Sequence, residues 1–123
     1  MDVLVDTSVW IDYFRSGEHS SWVDDLLDEN RVAINDLILA ELVPFLMVRN
    51  QKKIIQLLQG IRNLTLYIDW NGIIDFQYLC LKNGLNGVVL PDLIIAQNAA
   101  RHRCAIYSLD QHFTLMRGIL ALP

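Results

Sequence analysis

The chain has 123 residues, 53% of them hydrophobic and 20% charged, and this balance excludes an intrinsically disordered protein. Its length predicts one domain, residues 1–123, that is large enough to bury most of its apolar surface. The formal net charge of −4 argues against a nucleic-acid-binding protein that works without a metal, because phosphate-binding surfaces are usually basic.

The first half of the chain predicts two short buried strands that alternate with helices. The strands are predicted at residues 2–6 and 32–34, and the helices at 8–15, 20–30, 36–48 and 51–61. Asn35 or Asp36 is expected to cap the third helix, and Pro44 is expected to kink or interrupt it.

The second half of the chain continues this alternation. The predicted elements are a strand at 64–68, a helix at 71–83, a turn at 86–87, a helix from Pro91 through Arg103, and strands at 105–108 and 119–122. Parallel strands that alternate with helices are covered on both faces. The pattern therefore predicts an α/β fold, a three-layer sandwich with a mostly parallel central sheet flanked by helices.

Several features predict a cytoplasmic protein without a membrane segment. No apolar run approaches the roughly 20 residues needed to span a bilayer, and no basic region precedes the N-terminal apolar stretch, as a signal peptide would require. Cys80 and Cys104 lack CxxC spacing and are expected to be buried and reduced. The three histidines have no metal-ligand spacing with these cysteines, which disfavours zinc. They are His19, His102 and His112.

Four carboxylates lie either at the boundary of a predicted strand or helix or among apolar residues within a helix. Asp6 follows a predicted strand, where it is either a helix N-cap or a residue of a ligand-binding rim. Glu41 lies mid-helix among apolar residues, and an ionised glutamate on a packed helix face is costly unless it is paired or binds a metal. The helix could instead turn Glu41 toward solvent, but Asp36 and Arg49 already make other sides of it polar, so a functional role is favoured. Asp92 and Asp110 have ordinary alternatives, since one opens a helix and the other follows a strand where turns are common.

Taken together, the four carboxylates are expected to converge. The carboxyl ends of parallel strands meet at one edge of the sheet, and this topology brings Asp6, Asp92 and Asp110 together. Glu41 can reach them from the helix after the second strand. Such a cluster would repel itself unless it held hard divalent cations such as Mg²⁺ or Mn²⁺. A site of this kind can activate water for the cleavage of a phosphodiester.

These residues resemble the PIN domain, and more narrowly the VapC-type toxins of prokaryotic toxin–antitoxin modules, over essentially the whole chain. Each fragment is short, but the ordered set at this chain length is specific. The matching segments are VDTSVWID at 5–12, ILAEL at 38–42, LPDLIIA at 90–96 and SLDQHF at 108–113.

The resemblance implies a Mg²⁺-dependent endoribonuclease that cuts structured cellular RNA and thereby inhibits translation, with Mn²⁺ as a substitute. It also implies a homodimer that is neutralised by a small antitoxin, whose C-terminal segment lies across the active cleft. Ser8 and Ser108 become hydroxyls that support the site or contact substrate. One departure is His112, where many relatives carry a further acid, so the number of bound cations stays open. The implied catalytic metal ligands are Asp6, Glu41, Asp92 and Asp110.

Several basic residues are candidates for contacts with RNA phosphates. Lys52 and Lys53 on the predicted fourth helix are predicted to bind the substrate. The alternative for any one of them is an ordinary solvated helix face. The remaining candidates are Arg15, Arg49, Arg101 and Arg103.

Two other folds with an aspartate after a strand are disfavoured by their missing residues. A haloacid-dehalogenase-type phosphatase needs a second aspartate two positions after the first, where this chain has Ser8, and a receiver domain needs a lysine that residues 105–110 lack. A catalytically silent interaction module with the same fold remains an alternative. A DNA-directed metal-dependent nuclease is another, although the chain lacks the arch and helical insertions of flap-type enzymes.

Overall fold

The computed structural model describes residues 1–15, 17–18 and 20–123. Ser16 and His19 lie outside the described residues, so the prediction for His19 is untested. The strands are β1 (Val3–Val5), β2 (Val32–Ile34), β3 (Arg62–Asn63) and β4 (Ala105–Tyr107). The helices are α1 (Thr7–Phe14), α2 (Ser20–Asp28), α3 (Asp36–Val48), α4 (Lys52–Gln59), α5 (Trp70–Lys82), α6 (Leu90–Arg101) and α7 (Gln111–Leu120).

The described strands form one parallel sheet in the order β3-β2-β1-β4. Val5 pairs with Tyr107, and the amide of Asp6 donates to the carbonyl of Tyr107 at 2.9 Å. The chain therefore leaves β1 and β4 at the same edge of the sheet, side by side. This edge is the position at which the sequence predicts a ligand-binding site.

Helices flank this sheet, which confirms the predicted three-layer α/β sandwich. The strands are short and apolar because both of their faces are covered, and Leu4, Ala33 and Ile34 are fully buried. Cys80 and Cys104 are buried free thiols, as predicted. No helix in the described part of the chain combines the length and apolarity needed to cross a bilayer.

The strand predicted at 64–68 is wrong. β3 pairs with β2 only through residue 63, because β2 ends at Ile34 and Asn35 turns away to cap α3 through a 2.9 Å bond from the amide of Ile38. The carbonyl of Thr65 accepts instead from the side-chain amide of the buried Asn98, at 3.1 Å. Two buried asparagines, joined by a 2.9 Å bond, thus replace the backbone pairing of a longer strand.

The strand predicted at 119–122 is also wrong, because residues 119 and 120 form the last turn of α7. The helix ends at Ala121, which has a left-handed conformation with φ of 53°. Arg117 on this helix donates to the carbonyl of Ile106 at 2.9 Å, so the helix contacts β4 through a side chain. In α3, Pro44 does not interrupt the helix, which continues to Val48.

Candidate metal centre

Asp6 lies at the end of β1, with only 7% of its surface exposed. Its Oδ2 accepts hydrogen bonds from Ser8 Oγ at 3.1 Å and from Ser108 Oγ at 2.8 Å. Although Asp6 precedes α1, its side chain makes no capping hydrogen bond to that helix. Asp6 therefore occupies the N-cap position without capping the helix through its carboxylate, which two hydroxyls hold at the edge of the sheet.

Ser8 and Ser108 connect the two chain segments that leave β1 and β4. Their hydroxyl oxygens lie 3.3 Å apart. The amide of Leu109 donates to Ser8 Oγ, and the amide of Asp110 donates to Ser108 Oγ, each at 3.0 Å. Both serines therefore fix the orientation of Asp6 and the start of the loop that carries Asp110.

Asp92, Asp110 and His112 form a compact group, in which one potential ligand atom from each residue lies within 4.8 Å of the others. Asp92 is in the first turn of α6, and Asp110 caps α7 by accepting from the amide of His112 at 2.9 Å. The imidazole Nδ1 of His112 is 3.2 Å from Oδ1 of Asp110. The family resemblance marked His112 only as a departure from the usual acid, whereas the structure places it within the cluster.

The electrostatics of Asp92 link this group to Asp6. Burial raises the pKa of Asp92 above its ordinary value of 3.8, and the negative charges of Asp110 and Asp6 raise it further. A hydrogen bond to the backbone of Val89 and the charge of His112 have the opposite effect on this pKa. The negative charges of Asp6 and Asp110 therefore both act on Asp92 at this edge of the sheet.

Glu41 reaches the same edge of the sheet by a different route from the one expected. It is exposed, and the buried face of α3 is formed instead by Ile38, Leu42 and Leu46, so the placement of Glu41 on a packed stripe is wrong. Its Oε1 accepts from Thr7 Oγ1 at 2.9 Å, and Thr7 directly follows Asp6. Glu41 thus contacts the residue next to Asp6 in sequence, and it is not a member of the compact group of Asp92, Asp110 and His112.

A groove lies between α1 and α3, and Arg15 and Arg49 are among the residues that line it. Thr7 and Glu41, whose side chains are joined by the 2.9 Å hydrogen bond, lie on the same two helices but are not among its lining residues. The two arginines are eight residues further along their helices than Thr7 and Glu41, which is about 12 Å of helix. The apolar lining consists of Ile11, Phe14, Phe45, Leu46 and Ile54.

The two predicted substrate lysines are exposed on the first turn of α4. Lys53 lines a second groove that shares Phe14 and Ile54 with the first. Arg101 is instead at the far end of α6 from Asp92, about 14 Å along the helix, where its guanidinium stacks over the ring of Tyr67. The structure therefore groups the lysines with Arg15 and Arg49, and it places Arg101 elsewhere.

The donor set fits a hard divalent cation. Within the described residues, His112 is the only ion-pair partner of the four carboxylates Asp6, Glu41, Asp92 and Asp110. Carboxylate oxygens are the ligands that Mg²⁺ and Mn²⁺ prefer, and both buried cysteines are absent from the cluster. A bound cation would offset both the cost of burying the charge of Asp92 and its repulsion by Asp6 and Asp110.

Comparison with known protein families agrees with this geometry. The model of the PIN domain family matches residues 3–118, nearly the whole chain. No curated protein shows a significant match to the chain. PIN domains are in general metal-dependent nucleases, and the acidic cluster at the edge of the sheet accords with a divalent metal site.

Proposed function

We propose that this chain, which belongs to the PIN domain family, is a metal-dependent endoribonuclease and the toxin of a type II toxin–antitoxin module. In this proposal it cleaves structured cellular RNA in the cytoplasm and so inhibits translation. The observation that carries the nuclease assignment is the convergence of Asp6, Asp92 and Asp110 at one edge of the sheet, with Glu41 alongside. Carboxylates placed together in this way repel one another, and a bound cation would offset that repulsion.

The proposed metal ligands and catalytic residues are Asp6, Glu41, Asp92 and Asp110, and the proposed cofactor is Mg²⁺, for which Mn²⁺ can substitute. When bound, such a cation supplies Lewis-acid chemistry that stabilises the negative charge developing on the phosphate during hydrolysis. Ser8 and Ser108 both bind Oδ2 of Asp6, which leaves Oδ1 without a hydrogen bond among the described residues. The serines thus orient the carboxylate with one oxygen free for a ligand.

The groove between α1 and α3 is the proposed path of the RNA strand. Arg15 and Arg49 line this groove about 12 Å of helix beyond Thr7 and Glu41, and Lys52 and Lys53 lie on the first turn of α4, next to Ile54 of the same groove. A phosphate backbone that enters between these cations would run toward the carboxylates, where a bound divalent cation offsets part of the negative charge and can contact a phosphate oxygen directly.

The proposed antitoxin competes for the same groove. Its C-terminal segment would place apolar side chains on Phe14 and Phe45 and acidic groups near Arg15 and Arg49. Phe45 already contacts a cation, since the Arg49 guanidinium lies 4.5 Å from the centre of its ring. A segment bound there blocks the approach of RNA to the carboxylates, which is a sufficient mechanism of inhibition.

A second copy of the chain is the proposed partner of α5. Four large side chains on this helix are each more than half exposed and lie on one helical face, namely Trp70, Ile74, Tyr78 and Leu81. Monomeric soluble proteins rarely expose a contiguous apolar patch larger than a few hundred Å². Covering this stripe in a homodimer would remove it from water.

The proposal is tested by incubating the purified chain with total bacterial RNA in Mg²⁺, in Mn²⁺ and in a chelator. We expect discrete RNA fragments only with the cations, no product from Asp92→Asn, and unchanged product from Asp25→Asn, an exposed acid on α2. Cleavage of DNA but not RNA would favour the DNA-directed nuclease. A protein that neither cleaves nor responds to Mn²⁺ in thermal unfolding would be the silent interaction module.

A further inference from the structure

We propose that His112 is a nitrogen ligand of the cation and that it makes the site prefer Mn²⁺ to Mg²⁺. This inference rests on the proposed metal site and concerns which ion that site selects. His112 is the non-acidic member of the compact group with Asp92 and Asp110.

The spacing of the group suits direct coordination. The 3.2 Å between His112 Nδ1 and Asp110 Oδ1 is close to the roughly 3.0 Å that separates adjacent ligands of an octahedral ion with bonds of about 2.1 Å. A carboxylate oxygen of Asp92 is within 4.8 Å of both residues, so it can occupy a third position. In this inference, the three side chains close around one ion when it binds.

The backbone of His112 is fixed beside Asp110. Asp110 caps α7, and the amide of His112 in the first turn donates to Oδ1 of that same aspartate at 2.9 Å. The ring therefore starts from a rigid helical position beside its partner carboxylate. A site built on a helix terminus keeps its geometry better than one on a free loop.

The chemistry of the donor atoms sets the preference. Mg²⁺ binds oxygen ligands and gives up its water reluctantly, so an imidazole in place of a carboxylate removes both a favoured donor and a negative charge. Mn²⁺ also accepts oxygen ligands, and it tolerates nitrogen donors better than Mg²⁺ does. The combination of two aspartates with one histidine therefore favours Mn²⁺.

A different role for His112 would be to position Asp110 through an N–H···O hydrogen bond without touching the ion. In that case Nδ1 carries a proton and donates to Oδ1 of Asp110, and both cations gain equally from the fixed carboxylate. The ratio of the two affinities, rather than either affinity alone, separates a ligand from a positioning residue.

The test measures Mn²⁺ and Mg²⁺ binding to the full chain by calorimetry, for wild type, His112→Asp and the control His102→Gln. His102 is a matched control because its Nε2 bonds the carbonyl of Thr65, away from the cluster. We expect His112→Asp to lower the ratio of Mn²⁺ to Mg²⁺ affinity by about tenfold, whereas His102→Gln leaves the ratio unchanged.

Pulsed electron paramagnetic resonance of bound Mn²⁺ gives a second readout that needs no variant. We expect the wild-type spectrum to show coupling to a directly bound nitrogen, and this coupling to disappear in His112→Asp. Bound Mn²⁺ without nitrogen coupling, or an affinity ratio unchanged by His112→Asp, would overturn the inference and leave the proposed nuclease standing. A wild-type protein that binds Mg²⁺ but no Mn²⁺ would overturn the inference alone, and one that binds neither cation would overturn both.

Discussion

The hydroxyl of Ser108 donates a 2.8 Å hydrogen bond to the carboxylate of Asp6, and the two residues are 102 positions apart in the sequence. The contact exists because β1 and β4 are neighbours in the sheet and end at the same edge. It means that Asp6, which is buried, is oriented by the residue that directly follows the last strand, so the site depends on the complete fold.

Replacing Ser108 with alanine should therefore affect both stability and activity. We expect the free energy of unfolding in urea to fall by about 1 kcal/mol, the usual contribution of one hydrogen bond. The rate of RNA cleavage should fall about tenfold, because outer-sphere partners of metal ligands typically contribute that much or more. Ser21→Ala, at an exposed position on α2, is the control. Equal cleavage rates in Ser108→Ala and wild type would show that Asp6 needs no such support.

Replacing Asp92 with asparagine should change stability in opposite directions with and without metal. The raised pKa of Asp92 means that its ionisation opposes folding, at a cost that grows as the pH rises through the folded-state pKa. In a chelator at neutral pH, we expect the variant to melt a few degrees higher than wild type. Adding Mn²⁺ should stabilise wild type and Asp25→Asn but not Asp92→Asn. A variant that melts lower in the chelator would contradict the proposed repulsion.

The two lysines of α4 should contribute to RNA binding through charge alone. We expect Lys52→Gln combined with Lys53→Gln to weaken binding and to reduce the dependence of log K on log salt by about 1 for each phosphate that is no longer neutralised. Lys82→Gln, on α5, is the matched control. Filter binding of a catalytically inactive Asp92→Asn background at several salt concentrations measures both quantities. An unchanged salt dependence would remove α4 from the RNA path.

Tyr13 provides a pH dependence that is independent of the metal site. The 2.6 Å hydrogen bond that it donates to Asp24, with burial and the charges of Asp24 and Asp28, raises the pKa of Tyr13 from 10.0 to about 12. Because the folded-state pKa is higher than the unfolded one, this stabilisation is complete below pH 10 and is lost as the pH rises through about 12. An ultraviolet titration should show one tyrosine near pH 12 that Tyr13→Phe lacks and Tyr78→Phe retains.

The sequence predicted the carboxylates that follow strands better than the one within a helix. Asp6 and Asp110 lie where β1 and β4 end, and a parallel sheet brings such positions together by topology alone. For Glu41, the apolar neighbours in sequence suggested burial, but the buried face of α3 repeats at every fourth residue and leaves this side chain exposed. The contact with Thr7, and not burial, places Glu41 near Asp6.

The features that the sequence did not predict depend on contacts between distant segments. His112 joins the cluster because α7 begins immediately after Asp110, and that helix was not predicted at all. The strand expected at 64–68 is replaced by hydrogen bonds to the side chain of Asn98, whose side-chain partners are 33 or more positions away in the sequence. Periodicity in a single segment carries no information about such contacts.

The most direct test of the central claim is a crystal structure of the chain grown with excess Mn²⁺, with the ion located by its anomalous scattering. We expect a peak at the carboxyl edge of the sheet, within about 2.2 Å of carboxylate oxygens from Asp92 and Asp110 and held also by Asp6, directly or through water. A map with no anomalous peak at that edge, or with these carboxylates turned apart toward solvent, would contradict the assignment of a metal-dependent nuclease.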